Sequence, residues 1–420
     1  MKRKAVLILC AVLAILAGYI VFKQYKGRLY SWYADTHITR STQYPASQRP
    51  DQVCLTWADD PRISQAVQWR TDISVTDGWV AFREKEEADR EPSLVKATLS
   101  RIEDRMLEND PVIHRFTAHL QGLRPATSYV YRVGSREKDL WSEWSEFRTA
   151  PDAAEPFVFL YMGDPQIGLD FWGELLQNAF SRHPDAAFHV ISGDMVNKGS
   201  YRNEWDMFFA GARGVFDRSP IVPTPGNHDY GKRETPRMYL DMFALPQNGC
   251  RNIPPELSYS FEYGNALFIS LDSNRSPSAQ AEWLKEQLAA SKATWKFVTY
   301  HHPAYSPKAN RDNPEIRRHW TPLFDRYGVD MAFEGHDHSY MRTYPMKDGK
   351  RADAPGAGTV HVVSVSGTKY YALEPRDCAE VAFADTSTYQ VIAIATNPDR
   401  LTYCAYDKDG AIQDEFVIQK

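Results

Sequence analysis

The second half of the chain places five short polar clusters where apolar runs end. Gly163-Asp164-Pro165-Gln166 follows Val158-Phe-Leu-Tyr161, Gly193-Asp194 follows His189-Val-Ile191, and Gly226-Asn227-His228-Asp229 follows Ile221-Val-Pro-Thr-Pro225. Tyr300-His301-His302-Pro303 ends a further run, and Gly335-His336-Asp337-His338 follows Ala332-Phe333. Side chains at the carboxyl ends of neighbouring strands open into one crevice, so this order predicts an α/β fold with a single convergent site. A glycine before each acid lets the backbone turn sharply, aiming the carboxylate into the crevice.

The surrounding pattern supports that architecture. Strands are predicted at Phe157–Tyr161, Phe188–Ile191, Leu267–Leu271, Trp295–Tyr300 and Met331–Phe333, interleaved with helices at Phe171–Arg182 and Ala281–Ser291. The second helix carries Trp283, Leu284 and Leu288 on one face. Strands alternating with helices imply a mostly parallel core. After His338, predicted strands at Thr359–Ser364, Tyr389–Ala395, Leu401–Tyr406 and Phe416–Gln419, with a turn at Asp407–Gly410, would complete a second sheet.

Asp51 to Thr149 reads differently. Short alternating runs such as Val53–Trp57, Ala66–Arg70 and Ser128–Val133 are separated by polar turns, as in an all-β sandwich. His114 and His119 have no partners at ligand spacing and read as ordinary strand residues. The Ala- and Pro-bearing connector Ala150–Pro156 marks the boundary. The expected domains are therefore 1–28 as a membrane-directed segment, 45–150 as a sandwich and 155–420 as the α/β unit.

The first of these rests on Met1-Lys-Arg-Lys4 followed by the uncharged apolar run Ala5–Phe22. No small-x-small pattern closes the run, which favours an uncleaved signal anchor over a cleaved signal peptide. Basic residues on both flanks leave orientation undecided; the expectation is export, with the body outside the cytoplasm, anchored or secreted. Cys10 lies in the run, leaving Cys54, Cys250, Cys378 and Cys404. Cys250 and Cys378 sit in loop-like surroundings and are the first candidates for a disulfide, with four plain thiols the alternative. A net charge of -5 excludes a basic nucleic-acid footprint, so any phosphate recognition is local.

The clusters combine carboxylates, one amide oxygen and several imidazoles, a set suited to manganese, iron or zinc. Two such ions roughly 3.5–4 Å apart bind phosphoryl oxygens and turn a bridging water into hydroxide. A lone Gly-Asp is usually a turn and a lone His usually structural; it is their joint order that points to one metal site.

The series Asp164-x-Gln166, Gly193-Asp194, Gly226-Asn-His-Asp229, His301-His-Pro303 and Gly335-His-Asp-His338 resembles the calcineurin-like metallophosphoesterase superfamily. The run Leu120–Tyr129, with Phe147-Arg-Thr149, is similar to a fibronectin type III domain, an arrangement found before the catalytic domain of purple acid phosphatases. The resemblance implies a two-sheet sandwich flanked by helices, holding two divalent or mixed-valence metal ions and no organic cofactor. It gives Asp164 and His338 to the first metal and makes Asp194 the bridge. Asn227, His301 and His336 then hold the second, with Asn227 and His228 facing the substrate and His228 as the proton donor.

Two departures stand out. Asn197 occupies the position of the tyrosine that colours the purple enzymes, which argues against a purple ferric centre, and Gln166 stands where many relatives have a histidine ligand. Gln166 is kept as a weaker metal ligand. His302 is expected to pack or hydrogen-bond at the rim, and Tyr305, Tyr370 and Tyr371 to pack near the pocket. The function implied is hydrolysis of a small phosphorylated substrate, most simply a phosphomonoester. A phosphodiesterase or pyrophosphatase, and a membrane-anchored adhesion module with a structural metal, are the alternatives.

Overall fold

The computed structural model describes residues 38–420 apart from Lys232, Asp353 and Pro355, together with Gly18, Tyr19, Lys23, Lys26, Tyr33, Thr36 and His37. Nearly all of the apolar run Ala5–Phe22 lies outside the described residues, among which no helix is long and apolar enough to cross a membrane.

The first domain is an antiparallel sandwich. One sheet orders β1 (Asp51–Thr56), β2 (Ser64–Thr71), β6 (Val112–Gln121) and β5 (Thr98–Glu103). The other orders β4 (Ser93–Lys96), β3 (Trp79–Glu84), β7 (Ser128–Ser135) and β8 (Leu140–Trp141), with β9 (Ser145–Arg148) also on β7. Inward positions alternate along the strands, so Leu55, Val67, Trp69, Val80, Phe116, Tyr131, Val133 and Phe147 meet in one core. The corner before β7 is held by the Arg124 amide donating to the Tyr129 hydroxyl at 2.9 Å.

The second domain packs two mixed sheets face to face. In the first, β10 (Phe157–Met162), β11 (Ala186–Ile191) and β12 (Ile221–Pro223) are parallel. The second sheet begins with β13 (Tyr259–Tyr263), β14 (Ala266–Ser270), β15 (Trp295–Thr299) and β16 (Met331–Glu334), of which β14, β15 and β16 are parallel. It continues through β20 (Val360–Val363), β17 (Tyr340–Thr343) and β21 (Ala379–Phe383), while β18 (Met346–Lys347) and β19 (Lys350–Arg351) form a separate hairpin. The outer layers are α1 (Leu169–Arg182), α2 (Arg202–Gly211), α3 (Arg237–Met242), α4 (Pro277–Ala290), α5 (Pro314–His319) and α6 (Thr321–Tyr327).

The late strands do not all complete a second sheet as expected. Of the predicted late strands β20 alone joins it, beside β17 and β21; β22 (Tyr389–Thr396), β23 (Asp399–Tyr406) and β24 (Ile412–Gln419) extend the first sheet, β22 pairing antiparallel with β10. Helix α4 begins at Pro277, ahead of the predicted Ala281, because Ser276-Pro277 pre-forms its first turn. The Cys250–Cys378 disulfide is also corrected: the four described cysteines are free thiols. Cys250 Sγ is directed at the Ala279 carbonyl, 3.2 Å away. Burial raises the Cys378 thiol, with Arg376 opposing it.

The sandwich is fused to the second domain, since Cys54, Trp57, Ile102, Ile113 and Ala150 share its core. The seam carries buried charge: Arg70 Nη1 lies 2.7 Å from Asp206 Oδ1, and Arg202 lies 3.1 Å from Asp206 and 2.9 Å from Asp110. Arg202 and Asp206 belong to α2, the helix that follows the Asp194 turn, so the sandwich braces the loop carrying that residue.

Candidate metal centre

The five clusters meet at the carboxyl edges of β10, β11, β12, β15 and β16. Asp164, Asp194 and His336 each leave their strand in the left-handed region, at φ 37°, 53° and 71°. Such conformations cost about 1–3 kcal/mol each and persist where packing enforces them, commonly at working sites. Gly193 turns at φ 99°, and a Cβ there would sit 2.7 Å from His301 Nδ1; a Cβ on Gly335 would collide with Asp164 Oδ1.

Asp164, Gln166, Asp194, His301 and His338 are buried, while Asn227, His228 and His336 are half-buried at the mouth. His301 Nε2 lies 3.2 Å from Asp194 Oδ2 and 3.1 Å from Asn227 Oδ1, and His301 Nδ1 lies 3.7 Å from Asp164 Oδ1. His336 Nδ1 is 2.9 Å from Asn227 Oδ1 and 3.3 Å from His301 Nε2. His338 Nε2 stands 3.4 Å from Asp164 Oδ2, and Gln166 Nε2 stands 2.9 Å from His338 Nε2 and 3.2 Å from Asp194 Oδ2. All seven proposed ligands are thus brought together.

Backbone groups fix the imidazole tautomers. His301 Nδ1 donates to the Ser192 carbonyl at 2.9 Å and His338 Nδ1 to the Lys369 carbonyl at 3.0 Å, turning each Nε2 toward the carboxylates. Burial, reinforced by neighbouring imidazolium charge, pushes His336 down, and burial with Lys369 lowers His338 to about 4, so both imidazoles are neutral, the form that a metal ion binds. Asp164 is driven well above the carboxylate range by burial, Asp194 adding to the rise and His301 opposing it. Asp194 is held below its ordinary value because His301 outweighs burial. Although burial pulls the other way, the two carboxylates raise His301 to about 10. The proton this places on His301 Nε2 is the one a cation would displace.

The donor set fits transition-metal ions. Asp164, Asp194 and His301 offer ligand atoms within 4.8 Å of one another, and His301, His302 and His336 form an overlapping group. The Asn227 carboxamide oxygen faces two imidazole nitrogens, and the buried Gln166 Oε1 has no hydrogen-bond partner among the described residues. Exchanging the two terminal atoms of the Gln166 amide turns that oxygen toward Asp194 and His338, where a cation would bind.

His228 stands outside the buried cluster. Its amide donates to Asp194 Oδ1 at 2.7 Å, and its Nδ1 to the Asn197 carbonyl at 2.6 Å, which leaves Nε2 uncommitted among the described residues. His302 sits at the rim with Nδ1 2.9 Å from the Ser273 hydroxyl and its ring 4.4 Å from that of His336. Tyr305 is buried against His361, and Tyr370 bonds Ser387. Sequence reading left Asp229 without a role. Buried, it accepts the amides of Asp194, Met195 and Gly226 at 2.9, 3.0 and 2.8 Å, tying two ligand loops together. Its place in Gly-Asn-His-Asp was the available signal, whereas the Ser192 and Lys369 carbonyls left none.

The cluster has the donor set that metal-dependent hydrolases use, and comparisons with known proteins point to the same class. Residues 157–340 match the model of calcineurin-like phosphoesterases and residues 50–149 that of the purple acid phosphatase N-terminal domain. The chain thus carries a calcineurin-like phosphoesterase domain preceded by a purple acid phosphatase N-terminal domain. An uncharacterized protein of Mycobacterium tuberculosis is 29% identical over 273 residues, covering 55% of this chain and 51% of its own. Probable inactive purple acid phosphatase 1 of Arabidopsis thaliana is 25% identical over 364 residues, 72% of this chain and 57% of its own. Acid phosphatase type 7 of Homo sapiens is 25% identical over 426 residues, 89% of this chain and 91% of its own. The chain therefore spans about half the length of the first two. A purple acid phosphatase from yellow lupin shares the fold, with a TM-score of 0.75 at 20% identity over 89% of this chain and 74% of that one.

Proposed function

We propose that this chain hydrolyses phosphomonoesters at a dinuclear transition-metal centre. The observation that carries the reading is the convergence of the buried Asp164, Asp194, His301 and His338 with the half-buried Asn227 and His336, the imidazoles of His336 and His338 being neutral. Asp164, Gln166 and His338 would hold one ion, Asn227, His301 and His336 the other, and Asp194 would stand between them. When bound, such ions polarise a phosphoryl group and activate water.

The chain's own groups do the rest. Asn227, committed through its oxygen, has its amide N–H groups left to donate to a phosphoryl oxygen. His228 keeps Nδ1 on the Asn197 carbonyl, so Nε2 is the atom that carries a proton to the phosphate or leaving oxygen. The name of the human relative, acid phosphatase, supports the monoester. Asn197 offers no phenol, which supports a centre without the purple band. The basic start and the apolar run Ala5–Phe22 support an exported protein, anchored in the membrane or secreted, with its catalytic domain outside the cytoplasm.

The test is turnover of nitrophenyl phosphate against bis(nitrophenyl) phosphate after loading with manganese, iron or zinc. The monoester is expected to be preferred, and His228→Ala to lower kcat by about 10²–10⁴ with metal content retained. No turnover of either ester with any of the three metals, wild type equalling His228→Ala, would remove the enzyme reading.

A further inference from the structure

Lys308, Arg311 and Lys369 place their cationic heads 5.8, 5.5 and 5.1 Å from the centroid of the Tyr371 ring. That ring lies 4.7 Å from the His338 ring, tilted by 34°, so the cations border the metal cluster on one side. Tyr371 was expected only to pack; half-buried, it covers His338 and leaves part of its surface to solvent.

Both loops that carry these cations are fastened to the ligand segment His336-Asp337-His338. On one side the Lys369 carbonyl accepts from His338 Nδ1, and the Tyr371 amide donates to the His338 carbonyl at 2.7 Å. On the other, Arg311 Nε and the Ser306 hydroxyl both donate to Asp337. The loops are also joined to each other. The Glu374 amide donates to the Pro307 carbonyl at 3.1 Å, and the Ala309 amide to the Glu374 carboxylate at 3.2 Å. The nearby Asp312 is taken up by Arg376 at 2.7 Å and Arg317 at 3.4 Å.

The charges do not all cancel. Asp337 offsets Arg311, but among the described residues neither Lys308 nor Lys369 forms an ion pair. Two uncompensated ammonium groups held beside a phosphoryl-binding centre attract negative charge on the part of the substrate beyond the scissile phosphate. Neither lysine side chain takes part in these tethers, which run through the Lys369 carbonyl and Tyr371 amide on one loop and the Ser306 and Arg311 side chains on the other.

We propose that Lys308 and Lys369, seated around Tyr371, bind a second phosphoryl group, so that the preferred substrates are small doubly phosphorylated esters. This rests on the phosphomonoesterase reading. The experiment compares propyl phosphate with propane-1,3-diyl bisphosphate, using the metal-loaded full chain. The expected wild-type result is a kcat/KM for the bisphosphate about tenfold higher, carried by KM and shrinking as salt rises. In Lys308→Ala/Lys369→Ala the ratio of the two values falls to about two, the statistical value for two equivalent phosphates, and in Lys308→Arg/Lys369→Arg it is kept. A wild-type ratio no higher than that statistical value, or a ratio unchanged in the double alanine variant, overturns the proposal. No turnover of either ester overturns the hydrolase reading beneath it, a result distinct from failure of the subsite alone.

Discussion

Replacing His189 with leucine should make the protein more resistant to acid, by an amount that follows from where the ring sits. His189 lies on β11, 2% exposed, between the rings of Phe180 and Phe216 at 6.1 and 5.7 Å. Neither ring nitrogen has a hydrogen-bond partner among the described residues. Burial lowers the imidazole from 6.5 to about 3. The folded protein therefore keeps His189 neutral while the unfolded chain binds a proton below 6.5. The stability this group contributes is complete above 6.5 and is lost as pH falls toward 3. At pH 5 the loss is about 2 kcal/mol, and at pH 4 about 3 kcal/mol, at roughly 1.4 kcal/mol per unit. Leucine fills a similar volume without a titrating group, so the gap between His189→Leu and wild type should widen by those amounts on acidification. Urea melts at pH 7.5, 6, 5 and 4 measure it. Parallel stability curves for the two proteins across that range would refute the reasoning.

Asp206→Ala should cost about 3–5 kcal/mol, because it leaves Arg70 and Arg202 buried without their shared carboxylate; chemical denaturation of wild type and variant checks this. Gln166→His should tighten the first metal site, since imidazole binds these ions more strongly than an amide oxygen, and competition with a graded chelator would read a slower loss of one metal equivalent. An unchanged chelator titration would place Gln166 outside the coordination sphere.

How much of this was legible in the sequence depended on whether side chains or backbone carried the information. The five clusters were readable because each couples an apolar strand to a polar end, and Asp164, Asp194, Asn227, His301, His336 and His338 do converge. Helix α2 escaped because its buried face includes Arg202 and Asp206, which interrupt the apolar periodicity. The sheet assignment of β22, β23 and β24 escaped because an alternating antiparallel strand suits either sheet edge; only the pairing of β22 with β10 decides it. Loop-like surroundings around Cys250 and Cys378 said nothing about whether their thiols face each other. The carbonyls of Ser192 and Lys369, which orient two of the ligands, belong to the backbone and so leave no trace in residue type.

Metal stoichiometry measured alongside activity tests the central claim most directly. The purified chain, stripped with chelator and reloaded, should bind two transition-metal equivalents, with phosphatase activity rising as they bind, and Asp194→Ala should lose both properties together. Full activity in metal-stripped protein, or in Asp194→Ala, would contradict the dinuclear centre.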